Sequence, residues 1–167
     1  AGKSTVFKLW LGLYQPGEGK VLNQGRDAFQ IPENEKRSLY GYVEQTFHRV
    51  PGTVKDQITL YDDSFTMEEV REAATIAGLD ATIEQLEKGY DTLCTSEIFS
   101  QGQWQLLSIA RAAVAKPKLL LLDEITANLD AQTEEEVLQA LKRASEGRTV
   151  ISISHRVNAE TGRIITF

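Results

Sequence analysis

The sequence predicts an α/β fold, a mostly parallel sheet flanked by helices, on three observations. The run KLLLLDE, residues 118–124, is short, apolar at its centre and closed by two acids, as a fully buried parallel strand is. A second apolar run of the same kind covers residues 148–154. Between them, residues 133–144 carry apolar side chains at helical spacing, and strands that alternate with helices build parallel sheets.

The remaining elements follow in chain order. Val6, Leu9, Trp10 and Leu13 space a helix over residues 4–13, which Pro16 and Gly17 end. Residues 19–31 hold Gly25 between apolar pairs and read as a short hairpin. Residues 40–43 read as a buried strand running up to Glu44 and Gln45. The middle third changes character: residues 67–77 and 81–86 form two amphipathic helices, with Gly78 as the break. A long helical pattern over residues 100–115 stops before Pro117. This helical middle reads as an insertion into the sheet.

Composition narrows the function classes. A chain of 167 residues holds one domain with a real core and is too short for two ordinary ones. Its 41% hydrophobic and 25% charged residues are the balance of a soluble globular protein. A net charge of −6 argues against a nucleic-acid partner, which would draw on clustered Lys and Arg. The lone Cys94 excludes an internal disulfide, fits a reducing compartment and reads as apolar filler rather than a nucleophile. No apolar run approaches the length of a membrane span, and the first residues lack the basic region and long apolar stretch of a secretion signal. The chain itself is therefore expected to be soluble.

Two stretches carry chemistry by themselves. The chain opens AGKST, and Gly-Lys-Ser/Thr is the closing half of the phosphate-binding loop G-x-x-x-x-G-K-[ST]. In such a loop, glycine lets backbone N–H groups approach an anion, and the following helix adds its positive dipole. Gly2 and Thr5 belong to that phosphate-binding turn, Lys3 would reach the β- and γ-phosphates, and the Ser4 hydroxyl would ligate magnesium. A plain helix start is the alternative. Asp123, at the end of its strand, can hold magnesium through water, and Glu124 can orient the attacking water. Solvated acids at a strand end are the alternative there. The two motifs in this order support each other.

The stretch FSQGQWQLLSIARA, residues 99–112, identifies a family. Ser100, Gly102 and Gln103 stand where the ATP-binding cassette signature L-S-G-G-Q has its serine, second glycine and glutamine. Gln105, Leu106, Ile109, Ala110, Arg111 and Ala112 resemble the helix that follows it. LLLLDEITANLD resembles the Walker B strand, catalytic glutamate and D-loop (residues 127–130). ISISHR resembles the switch-histidine loop, with His155 in place, and Gln45 falls where the Q-loop glutamine should. These motifs run through the chain in the family's order, and the sequence resembles the nucleotide-binding domain of an ABC transporter. GTVKDQITL (residues 52–60) and KGYDTL (residues 88–93) are similar to segments of exporter-type cassettes.

The resemblance implies a P-loop NTPase-like fold, with residues 1–52 and 117–167 as a RecA-like core and about residues 53–116 as a helical subdomain carrying the signature. It implies ATP and Mg2+ as cofactors and ATP hydrolysis that powers export of a substrate across a membrane. Gly2, Lys3, Ser4, Thr5, Gln45 and Asp123 would bind the nucleotide of one subunit, with Ser4, Gln45 and Asp123 serving magnesium. Ser100, Gly102 and Gln103 would face the nucleotide of the opposite subunit, and Glu124 and His155 would act in catalysis. The implied partners are a second nucleotide-binding domain, identical or different, and an exporter's transmembrane domain on the same polypeptide, at the cytoplasmic face of the cell membrane. A soluble ABC-type ATPase of DNA maintenance shares the motifs, but the compact interval between Lys3 and Ser100 and the acidic charge disfavour it. A non-catalytic cassette fragment is the other alternative.

The departures are specific. Phe99 and Gln101 replace the usual leucine and first glycine of the signature, and CTSEIF before Ser100 is about two residues shorter than the usual exporter loop. After His155, NAETGRIITF is short and has Gly162 where an acid is common. A cassette has an edge sheet, an adenine-stacking aromatic and a central strand before its phosphate loop. Those are expected to precede Ala1, which makes this chain a truncated cassette by expectation.

Overall fold

The structure, a computed structural model, describes residues 2–153. In chain order its elements are α1 (Lys3–Trp10), β1 (Leu22–Asn23), β2 (Arg26–Asp27), α2 (Glu33–Leu39), β3 (Tyr40–Glu44), α3 (Val54–Thr59), α4 (Met67–Ile76), α5 (Asp80–Glu84), α6 (Gln101–Ala113), β4 (Leu119–Asp123), α7 (Ala131–Ser145) and β5 (Thr149–Ile153). The strands β3, β4 and β5 form a parallel sheet with β4 in the middle. Glu44, Asp123 and Ile153 lie side by side at one end of the sheet.

The four leucines of β4 explain that sheet. Leu120 and Leu122 join Val43 in a core with α3, α4, α6 and α7, while Leu121 faces the other side against Phe7, Leu11, Tyr40 and Ile153. With both faces covered, a strand needs no polar alternation, and the run is uniformly apolar. Gly41 brings α6 close to β3: a Cβ there would lie 2.6 Å from Leu120 Cδ2 and 3.2 Å from the Ala112 carbonyl.

The parallel sheet, the hairpin and the middle-third helices match the sequence reading, with helix ends shifted by a few residues. One shift has a clear cause. α1 stops at Trp10 rather than near Leu13, because Gly12 closes it in a left-handed turn at φ 67°. The Gly12 N–H donates to the Leu9 carbonyl at 3.0 Å and the Leu13 N–H to that of Lys8 at 2.9 Å, the paired bonds of a Schellman end. Any Cβ at position 12 would also strike the Ala28 carbonyl, 2.3 Å away.

Two helices lie outside the sequence reading. α2 is short and polar (ENEKRSL), so no apolar period announces it. α3 is six residues long, and its one signal is a capping box in which Thr53 and Asp56 bond each other's backbone N–H. Residues 154–167, which include the expected switch residue His155, lie outside the described residues, as does Ala1.

Candidate functional site

The end of the sheet marked by Asp123 meets the start of α1. Gly2 precedes the helix with φ 86°, a conformation glycine adopts without strain, and no side chain caps the helix start. Lys3 and Ser4 open the first turn half-buried, and Thr5 is exposed. The Ser4 hydroxyl donates to Asp123 Oδ1 at 3.2 Å, which joins residues 119 apart in sequence. On the other side of the carboxylate, the Tyr42 hydroxyl donates to Asp123 Oδ2 at 3.1 Å. Burial, with the charges of Asp123 and Glu44 beside it, holds the Tyr42 hydroxyl well above the ordinary tyrosine range.

A hydroxyl and a carboxylate oxygen within hydrogen-bond distance are hard donors that suit magnesium, which keeps several of its waters. Among the described residues no group of three or more His, Cys, Asp or Glu is placed to hold a metal. Glu124 follows directly. Its backbone sits in the left-handed region at φ 50°, and its N–H donates to the Ile153 carbonyl at 3.1 Å. A non-glycine residue held there stores strain, a feature that clusters at functional sites.

The remaining expected residues form a second group. Ser100 caps α6: its Oγ accepts from the Gln103 N–H at 3.2 Å, and Gln103 Oε1 accepts from the Ser100 N–H at 2.9 Å. Gly102 is buried, and a Cβ there would lie 2.3 Å from Thr133 Cγ2. Gln45 lies one residue beyond β3 and lines a cavity of about 400 Å³ with Phe47, Arg49, Phe99, Gln101 and Trp104. Ser4 and Asp123 are thus brought together, while Gln45 faces the start of α6.

The altered signature has a packing reason. Phe99 is buried and meets Trp104 edge-on at 5.1 Å between centroids, and Trp104 stacks on Phe47 at 5.3 Å. Gln105, 4% exposed, donates to the Glu44 carbonyl at 3.0 Å and ties α6 to the end of β3. Arg111 donates to the His48 carbonyl at 2.8 Å and to the Gln57 carbonyl, and its guanidinium lies 4.1 Å from the centre of the Phe47 ring. Burial, helped by the neighbouring Arg37, lowers the Arg111 pKa to about 10, which leaves it charged at neutral pH. Cys94 is half-buried against the core, and burial pushes its thiol up to about 11, so it has the inert character read from the sequence.

Tyr42 was not among the residues singled out by sequence. The available signal is strand alternation, which places Tyr40 and Tyr42 on the face opposite Val43, toward α1. Its carboxylate partner on the next strand is visible only once the register is known.

The family model described as "ABC transporter" matches residues 1–127. The chain is 42% identical over 160 residues to the Bacillus subtilis protein named "Uncharacterized ABC transporter ATP-binding protein YfiC", covering 95% of this chain and 26% of that protein. It is 40% identical over 163 residues to the "ABC multidrug transporter MDR2" of Trichophyton tonsurans, covering 95% of this chain and 12% of the relative. It is 38% identical over 161 residues to the "Toxin RTX-III translocation ATP-binding protein" of Actinobacillus pleuropneumoniae, covering 95% of this chain and 22% of the relative. A solved structure, "Structure of a bacterial Atm1-family ABC exporter with ATP bound", superposes with a TM-score of 0.78 at 34% identity, covering 95% of this chain and 28% of that one. The chain thus spans about a quarter or less of the length of each of these proteins. Among the described residues no helix is long and apolar enough to cross a membrane. With residues 1–127 matched, well over half of its length, the chain belongs to the ABC transporter family.

Proposed function

We propose that this chain is the ATP-binding and hydrolysing cassette of an exporter, powering movement of a substrate across a membrane. The observation that carries the reading is the Ser4–Asp123 contact, which unites the end of a phosphate loop with a Walker B acid. Lys3 and the first N–H groups of α1 bind and orient the phosphates. Gly2 gives that turn its left-handed backbone, and Thr5 completes it. Ser4 and Asp123 would hold magnesium, with Gln45 as its sensor; the ion would supply neutralisation of charge on the transferring phosphoryl group. Glu124 orients the attacking water and takes up its proton. His155 serves as the contact to the γ-phosphate.

In the same reading Ser100, Gly102 and Gln103 present the start of α6 to the nucleotide of a second cassette, identical or different. The helical segment, about residues 53–116, links the core to a transmembrane domain on the same polypeptide, at the cytoplasmic face of the membrane. Closure of two cassettes then biases the transporter between its two states. Relatives named as multidrug and toxin transporters support the exporter class.

Calorimetric titration of the full-length protein with Mg-ATP tests the reading through Lys3→Ala. Loss of a charge-assisted contact to phosphate is expected to weaken binding about 10- to 100-fold. Equal affinities in the variant and the wild type would remove the phosphate loop from the account.

Gln101 gives a second expected result. It is exposed on the first turn of α6, the surface that faces the opposite nucleotide in this reading. Gln101→Gly is expected to raise ATPase activity a few-fold, on the order of 1 kcal/mol of barrier, in the assembled pair. The same gain in a dilute single cassette would show that position 101 does not act across the interface.

A further inference from the structure

Asp123 has two carboxylate oxygens, and each has its own donor. Oδ1 accepts from Ser4 on α1, and Oδ2 accepts from Tyr42 on β3. Tyr42 pairs in register with Leu121, two residues before Asp123, so its side chain reaches the carboxylate diagonally across the strand pair. The tyrosine ring is itself held. It meets Phe7 edge-on, with centroids 6.2 Å apart and planes at 89°, and Phe7 is 2% exposed and stacked on Trp10.

A lone aspartate turns readily about its last torsion, because an sp³–sp² rotor has a broad well. A hydroxyl on Oδ2 from a ring packed edge-on against the buried Phe7 restricts that freedom. Phe7 lies on the same helix as Ser4, so one element carries both the serine and the packing that fixes the tyrosine. Tyr42 faces the Glu44 carboxylate as well, and Glu44 is the register partner of Asp123. Its hydroxyl therefore interacts with both acids at the end of the strand pair.

We infer that Tyr42 is a positioning residue of the magnesium site: its hydroxyl fixes the Asp123 carboxylate so that Oδ1 and Ser4 Oγ present one edge to the ion. The inference rests on the nucleotide reading of Ser4 and Asp123. Removing an outer partner of a ligating carboxylate costs about 10- to 100-fold in metal affinity. Tyr42→Phe keeps the ring and its contact with Phe7 and deletes the hydroxyl alone.

The test uses Mn2+ as the probe, with a non-hydrolysable ATP analogue on the full-length protein and free Mn2+ read by electron paramagnetic resonance. Wild type, Tyr42→Phe, Asp123→Asn and the double variant are compared, and nucleotide affinity is measured in parallel under EDTA. Tyr42→Phe is expected to weaken Mn2+ binding about 10-fold, with the EDTA affinity unchanged and no further loss on the Asp123→Asn background. If Asp123→Asn binds Mn2+ far more weakly while Tyr42→Phe stays within about 2-fold of wild type, the positioning role is wrong and the site stands. An equal loss from Tyr42→Phe in both backgrounds also overturns the role, since the tyrosine would then act without Asp123. If Asp123→Asn binds Mn2+ as the wild type does, the magnesium site itself is misassigned and this inference falls with it.

Discussion

Replacing Glu124 with glutamine is expected to leave Mg-ATP binding in place and to slow steady-state ATP turnover in the full-length protein by about 10²–10⁴-fold. The backbone at position 124 makes this substitution unusually clean. Glu124 occupies the left-handed region at φ 50° directly after Asp123, anchored by its N–H to the Ile153 carbonyl of β5. Glutamine has the same shape and bears the same backbone strain, so charge and basicity are what change. A carboxylate has the basicity to draw a proton from water, and an amide does not. ATPase assays beside nucleotide titration separate the two quantities. Unchanged turnover would take Glu124 out of catalysis, and a parallel loss of affinity would make it a binding residue instead.

Arg111→Ala is expected to be the most damaging change away from the chemistry, at about 3 kcal/mol of stability. Arg111 on α6 holds the backbone at His48 and Gln57, and the Arg111 carbonyl accepts from Arg37 at 3.0 Å. Arg37 in turn holds the Ile58 and Thr59 carbonyls that end α3. Truncation therefore strips the carbonyl of the buried Gln57 and that of the exposed His48 of a charged donor and opens the space under Phe47. For a chain of this size the midpoint of thermal unfolding should fall roughly 6–12 °C. Arg111→Lys should recover less than half of that, because a point charge cannot replace a planar fork spanning two segments. A shift below about 2 °C for Arg111→Ala would show that these bonds are replaced by water without loss.

The sheet was legible because β4 is an apolar run whose centre is buried and β5 repeats the apolar pattern, although β5 exposes three of its five residues. α7 was legible too, since its apolar stripe (Val137, Ala140, Leu141, Ala144) packs as its period demands. Elements without an apolar period were not legible: α2 buries only Lys36 of its seven residues, and α3 is too short to establish a repeat. The end of α1 was misplaced because the apolar spacing runs on through Leu13, past Gly12, whose left-handed turn is what ends the helix. At the candidate site, motif spacing brought out Ser4 and Asp123, whose contact the structure then supplies. Tyr42 stayed hidden, since a tyrosine in an apolar strand resembles core until its partner on the next strand is in place. The serine and glutamine of the signature were read for a nucleotide; the structure adds that they also cap their own helix.

Gly102 also ties together two stretches of the chain that mutate separately. The Thr133 methyl occupies the space where a side chain at position 102 would go, and Asp130 restrains Thr133. Its hydroxyl donates to Asp130 Oδ2 at 2.6 Å, and its N–H donates to Asp130 Oδ1 at 3.0 Å. The start of α6 and the start of α7 therefore share a single parcel of volume. An alanine at position 102 fits if position 133 becomes serine, which keeps the hydroxyl for Asp130 and drops the obstructing methyl. A side chain at position 102 thus requires a smaller one at position 133, and a change at 133 made first leaves room for it.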